Sequence, residues 1–270
     1  MTFDAPTVTA GLRSLDVDGT AVHLIFQAQA VEMIVGSAEK PRQPPLAVAS
    51  INLDHVHHLG HSNTGVRFGL SQSAEWLNLI DGAPLARQAR RVTGVSYPRL
   101  SGSDLVLPIL DAAERRGLAV GIIGGLPEVR PLVADEIGKR WPKLRLVGHW
   151  TPSRADLHSA EAMGAMTDEI HEARADILLV CLGKPRQESW INAYGVASGA
   201  KVLLAFGAVV DFLAGRVARA PRWVASAGFE WAWRLMLEPR RLAPRYLIQG
   251  PPAYVKVRRS RALRDVRTRT

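Results

Sequence analysis

The sequence predicts an α/β fold: a mostly parallel, Rossmann-like sheet flanked by helices, followed by a basic helical C-terminal appendage. Two observations carry this prediction. Short, continuously apolar runs alternate with stretches in which apolar residues recur at helical spacing, which is typical of parallel strands joined by crossover helices. The last 37 residues differ in composition, because they carry eleven Arg or Lys against two acids. We therefore divide the chain into an α/β domain, residues 1–233, and a membrane-associating appendage, residues 234–270.

The predicted elements can be placed in chain order. A strand and a helix are predicted within residues 20–35. Continuous apolar character predicts five buried strands, over residues 45–51, 119–123, 144–148, 177–182 and 201–206. Helical spacing of apolar residues predicts helices over 128–141 and 159–173. The basic segment after Pro239 is interrupted by Pro244 and by Pro251 with Pro252, so we expect it to lie outside the sheet.

The charge of the chain is concentrated at its C-terminal end. The last 37 residues sum to +9, which equals the net charge of the whole chain, so residues 1–233 are neutral in sum. A cationic end on a neutral body predicts an anionic partner: nucleic acid, an anionic membrane surface or a phosphorylated substrate. Three tryptophans just before this end, Trp223, Trp231 and Trp233, fit either a hydrophobic core or an interfacial anchor.

Two features bear on the compartment. The first residues lack the basic and then apolar profile of a signal peptide. No apolar run approaches the ~18 residues of a spanning helix. We therefore expect an intracellular protein whose membrane contact, if it has one, is peripheral.

Polar or glycine-rich residues occupy five strand ends or following loops, the places where α/β sheets bind ligands. Gly124 and Gly125 can bring backbone N–H groups close to a phosphate, although a structural turn needs the same glycines. The block from Gly183 to Glu188 follows the most apolar run, and a solvated corner is its alternative interpretation. The other three positions are Ser50 with Asn52, Asp81 with Gly82, and Gly207 leading to Asp211.

A histidine group invites a metal-site interpretation. Its members and the nearby carboxylate are His55, His57, His58, His61 and Asp54. Their spacing matches no strong metal motif, so we interpret them as surface or partly buried histidines and predict no metal. Cys181 is the single cysteine and lies within an apolar run, which predicts a buried core thiol.

From residue 46 to about residue 250 the chain resembles the WecG/TagA/CpsF glycosyltransferases of bacterial surface-polymer assembly. The resemblance rests on the order and spacing of many blocks: Ser50-Ile-Asn52, Asp81-Gly82, Arg99 with Gly102, Gly124-Gly125, Gly183-x-Pro-x-Gln187-Glu188, Asp211-Phe-x-Ala-Gly215, Arg219-Ala-Pro221, Glu230-Trp231-x-x-Arg234-Leu235 and Glu238-Pro-x-Arg241. It implies an inverting transfer of a sugar, commonly of N-acetylmannosamine type, from a UDP-sugar to a polyprenyl-diphosphate-linked sugar. Such a step belongs to the synthesis of a surface polysaccharide, an exopolysaccharide or a teichoic-acid-like polymer.

The resemblance also implies residue roles. Asp81 stands at the position of the general base, which takes the acceptor hydroxyl proton, and Arg99 would offset charge on the departing diphosphate. The implied substrate-binding residues are Ser50, Asn52, Gly124, Gly125, Gln187, Glu188, Asp211, Arg219, Arg234 and Arg241. The only Asp-x-Asp, at Asp16 and Asp18, precedes the first predicted strand. We therefore expect arginines in place of a metal ion, and no cofactor.

The resemblance further implies that the appendage docks on the membrane and helps to complete the active site. The expected partners are a UDP-sugar donor, a polyprenyl-diphosphate-linked acceptor and an anionic membrane surface, with no nucleic acid; a homo-oligomer is compatible with the sequence. The expected location is the cytoplasm, peripherally on the inner face of the plasma membrane. The chain departs from the family pattern where Ser50 replaces Thr, where Pro244 leaves the helical form of the basic segment open, and in the arginine-rich residues 257–270.

Two other classes of protein remain as alternatives. A nucleic-acid-binding protein would use the basic tail, but charge alone supports it, and aromatic residues are few after Trp233. A nucleotide-dependent oxidoreductase would use the same sheet, but the complete Gly-x-Gly-x-x-Gly fingerprint and its downstream acid are missing. Binding isotherms with UDP, NAD and duplex DNA separate the three.

Overall fold

The computed structural model describes residues 7–59, 73–216, 233, 236 and 244–263 of the 270-residue chain. These residues form a nine-stranded sheet with helices on both faces. Its strands are β1 (Ser14–Val17), β2 (Thr20–His23), β3 (Leu46–Ile51), β4 (Glu75–Ile80), β5 (Ala119–Gly124), β6 (Arg145–Trp150), β7 (Ile177–Cys181), β8 (Val202–Ala205) and β9 (Arg261–Leu263). The helices are α1 (Gln27–Ala38), α2 (Leu53–Leu59), α3 (Ala83–Thr93), α4 (Gly102–Arg115), α5 (Arg130–Arg140), α6 (Ala160–Ala173), α7 (Arg186–Tyr194), α8 (Val209–Leu213) and α9 (Gly250–Arg259).

The sheet is mostly parallel, which confirms the predicted fold class. The strand order is β6-β5-β7-β8-β3-β4-β2-β1-β9. The seven strands from β6 to β2 run parallel, whereas β1 is antiparallel to both of its neighbours, β2 and β9. The predicted strands and helices are all present, with ends that differ by up to three residues.

The continuously apolar strands are explained by burial on both faces of the sheet. Along β3, Leu46 and Val48 face the core shared with α1, α4, α5 and α8, while Ala47, Ala49 and Ile51 face the core shared with the other helices. Parallel strands covered on both sides lose the apolar–polar alternation of a half-exposed strand. The buried strands hold the backbone at their carboxyl ends, where the side chains of the candidate site are attached.

Two elements near the N-terminal side of the sheet correct the sequence prediction. Asp16 lies within β1 and Asp18 lies in the turn to β2, so the expectation that this Asp-x-Asp precedes the first strand is wrong. The Asp16 Oδ1 accepts a hydrogen bond of 2.9 Å from the Gly19 N–H, and this bond closes the hairpin turn. Asp16 therefore has a structural task in the β1–β2 hairpin.

The described part of the C-terminal segment packs onto the α/β body. A π-helical segment, Pro244–Gln249, leads directly into α9, and β9 then pairs with β1. The expectation that the basic segment lies outside the sheet is therefore wrong for β9. Pro251 and Pro252 do not break α9, because proline is tolerated in the first helical turn. The boundary between residues 233 and 234 stays a prediction.

Specific contacts hold this segment in place. Ala253 and Val257 are buried in the core that α2 and α3 share. The Gln88 Nε2 of α3 donates to the carbonyl oxygens of Arg258 and Ser260, at 3.3 and 2.9 Å. No helix within the described ranges has the length and apolar character needed to cross a bilayer.

Candidate active site

The candidate site lies at the carboxyl edge of the parallel strands. Asn52 directly follows β3 and Asp81 directly follows β4, and these two strands are neighbours in the sheet. The Asp81 N–H donates to the Ile51 carbonyl oxygen at 2.8 Å, which fixes the backbone between the two side chains. The Asn52 Nδ2 then donates to the Asp81 Oδ2 at 3.0 Å. The structure thus brings together two of the predicted site residues.

Lys184 fixes the orientation of the Asn52 amide. Its Nζ, in the loop before α7, donates to the Asn52 Oδ1 at 3.0 Å and lies 3.8 Å from the Asp54 carboxylate. An ammonium group can only donate and a carboxylate can only accept. The Asn52 oxygen must therefore face Lys184 and its nitrogen must face Asp81. Lys184, Asn52 and Asp81 form one line of hydrogen bonds across the ends of three strands.

The segment that carries Arg99 crosses the same edge. The Leu100 N–H donates to the Ile80 carbonyl oxygen at 2.6 Å, and the Ser50 hydroxyl donates to the Leu100 carbonyl oxygen at 2.8 Å. Arg99 is therefore one residue from a backbone contact with Ile80, the residue that precedes Asp81. Ser50 is buried and uses its hydroxyl to hold this segment, so its predicted contact with a substrate stays a prediction.

Gln187 and Glu188 lie beneath this surface. Both side chains are 0% exposed. The Gln187 Nε2 donates to the Glu188 Oε1 at 2.7 Å and to the Ala205 carbonyl oxygen at 2.9 Å, which ties α7 to the end of β8. The His55 Nε2 of α2 lies 3.2 Å from the same Glu188 oxygen. Their predicted direct contact with a substrate stays a prediction, because the structure shows their contacts within the protein.

His55 differs from the predicted surface or partly buried histidine. Only 2% of the residue is exposed. Burial, followed by the positive charge of Lys184, lowers the pKa of His55 below its ordinary value. The imidazole is therefore neutral at neutral pH and takes part in the hydrogen bonding beneath the site.

The glycine pair after β5 has a packing reason of its own. Gly124 has a φ of +116°, and a Cβ built there would lie 2.3 Å from the Cys181 carbonyl oxygen. At Gly125, a Cβ would lie 3.1 Å from the Val210 side chain of α8. Both positions thus need glycine for the close approach of β7 and α8. A phosphate contact by this turn stays a prediction.

Of the other residues that the sequence singled out, some lie among the described residues and some lie outside them. Asp211 is half-buried in α8, after the end of β8. Cys181 is 5% exposed, and burial raises the pKa of its thiol to about 12, which confirms the predicted core thiol. Arg219, Arg234 and Arg241 lie outside the described residues.

The remaining histidines form local contacts. The His58 Nε2 lies 3.8 Å from the Asp54 carboxylate, and the rings of His57 and His58 meet edge to face at 5.2 Å. His61 lies outside the described residues. Within residues 7–59, 73–216 and 244–263, no group of three or more His, Cys, Asp or Glu is arranged to hold a metal ion.

Sequence reasoning missed Lys184 and His55 as members of the site. Lys184 lies in the polar block that follows β7, and that block was the available signal. His55 was grouped by sequence with the other histidines, whereas its partner Glu188 lies 133 positions further along the chain. Only the tertiary fold, which brings His55 of α2 next to Glu188 of α7, joins them.

The fold is that of a doubly wound α/β protein, a class whose members bind ligands at the carboxyl edge of the parallel strands. A carboxylate, an amide and an ammonium group meet there within hydrogen-bonding distance. Comparison with protein families matches residues 15–267 to the Glycosyl transferase WecG/TagA/CpsF family. Since the match covers nearly the whole chain, the protein belongs to this family. It is a sugar-transferring enzyme, and the family indicates a role in surface-polymer synthesis.

Proposed function

We propose that this glycosyltransferase moves a sugar of N-acetylmannosamine type from a UDP-sugar to a polyprenyl-diphosphate-linked sugar, with inversion at the anomeric carbon. In this reaction the acceptor oxygen forms a bond to the anomeric carbon while the bond from that carbon to UDP breaks. A base takes the proton of the acceptor hydroxyl, and UDP leaves with the bonding electron pair.

The observation that carries the proposal is the hydrogen bond from Asn52 to Asp81 at the carboxyl edge of the sheet. Asn52 holds the Asp81 Oδ2 at 3.0 Å. The other oxygen of this half-buried carboxylate accepts no hydrogen bond from another described residue, so its lone pairs are not already used within the described part of the site. A base whose orientation is already fixed is ready for proton transfer without further rearrangement. These features favour Asp81 as the general base.

Positive charge near Asp81 favours a diphosphate leaving group. Lys184 bonds to Asn52, and the Arg99 segment is bonded to the end of β4. Cations that face a departing diphosphate stabilise the charge that develops there. We propose that Arg99 serves this purpose together with Arg234 and Arg241, which lie outside the described residues, so that no divalent metal is required.

An apolar and basic face of the C-terminal segment favours a peripheral membrane contact on the cytoplasmic side. Leu247 and Ile248 are 64% and 71% exposed, and Val255 is 46% exposed. Arg258 and Arg259 follow on the exposed side of α9, while Ala253 and Val257 face the protein core. Exposed apolar side chains beside arginines match an anionic bilayer surface, where a lipid-linked acceptor is embedded.

A donor screen tests the proposed reaction. Purified protein is incubated with a short-chain lipid-diphosphate sugar and each of a panel of UDP-sugars, and UDP release is measured. We expect UDP-N-acetylmannosamine to give the fastest release, only in the presence of acceptor, and NMR of the product to show an inverted anomeric centre. If no UDP-sugar supports transfer, or the product retains the donor configuration, the proposed reaction is wrong.

The membrane contact is tested separately by sedimentation with vesicles. The Leu247→Ser and Ile248→Ser double variant should lose binding to vesicles that contain anionic lipid. Val196→Ser is the matched control, because Val196 is 45% exposed but lies between α7 and β8, at the opposite edge of the sheet. Equal binding by the double variant and the control would contradict a membrane contact through this face.

A further inference from the structure

His55 and Glu188 form a buried polar pair directly beneath Asn52. They are 2% and 0% exposed, and the His55 Nε2 lies 3.2 Å from the Glu188 Oε1. On the other side of the ring, the His55 Nδ1 lies 3.3 Å from the Asn52 backbone nitrogen and 3.3 Å from the Asn52 Oδ1. The imidazole therefore connects α7 to the turn between β3 and α2. A polar pair at this depth is costly unless it is hydrogen-bonded, so its geometry is tightly constrained.

The contacts with Glu188 and with the Asn52 N–H select one tautomer for this imidazole, in which the nearby Asn52 Oδ1 accepts from Lys184 and not from the ring. Glu188 Oε1 also accepts from the Gln187 Nε2 at 2.7 Å, so it acts as an acceptor toward both neighbours. The His55 Nε2 must then carry the proton that it donates to Glu188. In the neutral ring the Nδ1 is left as an acceptor, and it receives the Asn52 N–H. Burial lowers the pKa of His55, which agrees with a neutral ring.

This tautomer matters because the Asn52 N–H is the donor at the start of α2. The first N–H groups of a helix have no partner within the helix and must find one elsewhere. The Asn52 carbonyl oxygen accepts the Val56 N–H at 3.0 Å, so both the N–H and the carbonyl group of Asn52 are bonded to the first turn of α2. The Asn52 side chain can then remain between Lys184 and Asp81.

We propose that His55 and Glu188 are positioning residues, which fix Asn52 and through it the carboxylate of Asp81. Glu188 holds the ring of His55, His55 holds the backbone of Asn52, and the Asn52 amide orients Asp81. Neither His55 nor Glu188 touches the reacting atoms. This role rests on the proposed function of Asp81 as the base, and it assigns to Glu188 a task other than contact with a substrate.

Two variants separate the halves of the pair. His55→Gln keeps a donor that reaches Glu188 but removes the acceptor of the Asn52 N–H. Glu188→Gln keeps the shape of the side chain and removes its charge. The matched control is Glu169→Gln. Glu169 of α6 also accepts a ring N–H, from the Trp150 Nε1 at 3.0 Å, but Trp150 lies on β6, the outermost parallel strand.

The expected result is a loss of turnover without a loss of donor binding. We expect His55→Gln to lower kcat about tenfold and Glu188→Gln to lower it about threefold, because a small misplacement of a reacting group slows the chemical step. In both variants the affinity for UDP, measured by calorimetry, should stay within about twofold of wild type. The same titration counts the protein molecules that bind UDP, and kcat is calculated per binding molecule to correct for misfolded protein. The control should match wild type in both measurements.

A double-mutant cycle distinguishes positioning from general stabilisation of the fold. In an Asn52→Ala background, His55→Gln and Glu188→Gln should change kcat by less than about twofold, because the residue through which they act is already gone. Full, independent losses in that background would overturn the proposal, as would wild-type kcat in both single variants. If one variant fails to fold, the other still decides between these outcomes.

An NMR measurement keeps this inference separate from the proposed reaction. In ¹⁵N-labelled wild-type protein, the His55 imidazole should be protonated at Nε2 and unprotonated at Nδ1. His55→Gln should shift the side-chain signals of Asn52 and Asp81, and Glu169→Gln should not. Wild-type protein that transfers no sugar would refute the proposed function, whereas a proton on Nδ1 or unshifted Asn52 and Asp81 signals would refute the positioning role.

Discussion

Replacing Asp81 by Asn is the most direct perturbation of the proposed base. The Asp81 Oδ2 accepts from Asn52 at 3.0 Å, and an amide of the same shape can present its own oxygen to that donor. The network from Lys184 through Asn52 is thus preserved. The amide NH₂ group then takes the place of the second carboxylate oxygen, and it has no lone pair with which to take a proton.

The size of the effect follows from the loss of proton transfer alone. General base catalysis contributes roughly 10²- to 10⁴-fold to a rate, which corresponds to about 3–5 kcal/mol of activation free energy. We therefore expect Asp81→Asn to lower kcat by at least about 10²-fold, while the Kd for UDP stays within about twofold. Rates are measured by UDP release with saturating donor and acceptor, and UDP binding is measured by calorimetry.

Asp135→Asn serves as the control for this substitution. Asp135 is exposed on α5, where it bonds to Lys139, so its loss should leave turnover unchanged. Near-wild-type turnover in Asp81→Asn would remove Asp81 from the role of base. An equal loss of turnover and of UDP affinity would instead assign Asp81 to donor binding.

Three further predictions concern metal dependence, packing and pH. Turnover should survive EDTA, because cationic side chains near Asp81 can stabilise the leaving diphosphate; activity lost on chelation and restored by Mg²⁺ or Mn²⁺ would contradict this. Gly124→Ala should lower the free energy of unfolding in urea by about 3 kcal/mol or more, because its φ is +116° and the new Cβ would lie 2.3 Å from a backbone oxygen. The control Gly138→Ala, within α5 and with open space around the site, should stabilise by about 0.5–1 kcal/mol; equal effects would refute the packing argument. Burial lowers the pKa of His23 from 6.5 to about 4. Between these two pH values His23 is protonated in the unfolded chain only, so the free energy of unfolding should fall by up to about 3 kcal/mol as the pH drops from 6.5 to 4. Urea titrations should show a shallower fall for His23→Gln, and an unchanged pH dependence would contradict the burial argument.

The His23 prediction has a geometric basis as well. The His23 Nδ1 lies 3.0 Å from the Asn78 backbone nitrogen and 3.3 Å from the Asn78 carbonyl oxygen. The shorter contact requires an unprotonated Nδ1, because the backbone N–H is a donor. Protonation in the folded state would break this bond between β2 and β4 in addition to burying a charge.

Much of the fold could be predicted from the sequence, because each strand of a covered parallel sheet carries its own signal. The run that forms β7, Ile177–Cys181, is apolar at every position since both of its faces are buried. The same reasoning placed Asn52, Asp81 and the block after Gly183 at one edge, because parallel strands end at the same side. The family resemblance, which the comparison confirms, depended on these same strand-end blocks.

Signals in the sequence are weaker where strand pairing is short or distant, or where polar residues interrupt a strand. β9 has only three residues, and it lies beside β1 because α9, which precedes it, packs against α2 and α3. One of these contacts joins Gln88 of α3 to Arg258 of α9, which are 170 positions apart. β4, which lies inside the sheet, was represented only by its last residue, Ile80, because the polar Glu75 and Asn78 interrupt its apolar run. Short edge strands carry too few residues for a periodic pattern, so only the assembled sheet decides where they pair.

The sequence by itself determined the α/β class, most of the strands that carry the site, the cationic end of the chain and the family to which it belongs. Local composition and the residue types at strand ends are sufficient for these features, because each feature depends on residues that are contiguous in the chain. Only the tertiary structure decided that Lys184 orients Asn52 and that His55 pairs with Glu188. Such contacts join residues about 130 positions apart, and a hydrogen bond depends on angles and distances of a few tenths of an ångström, which no local pattern of residue types encodes.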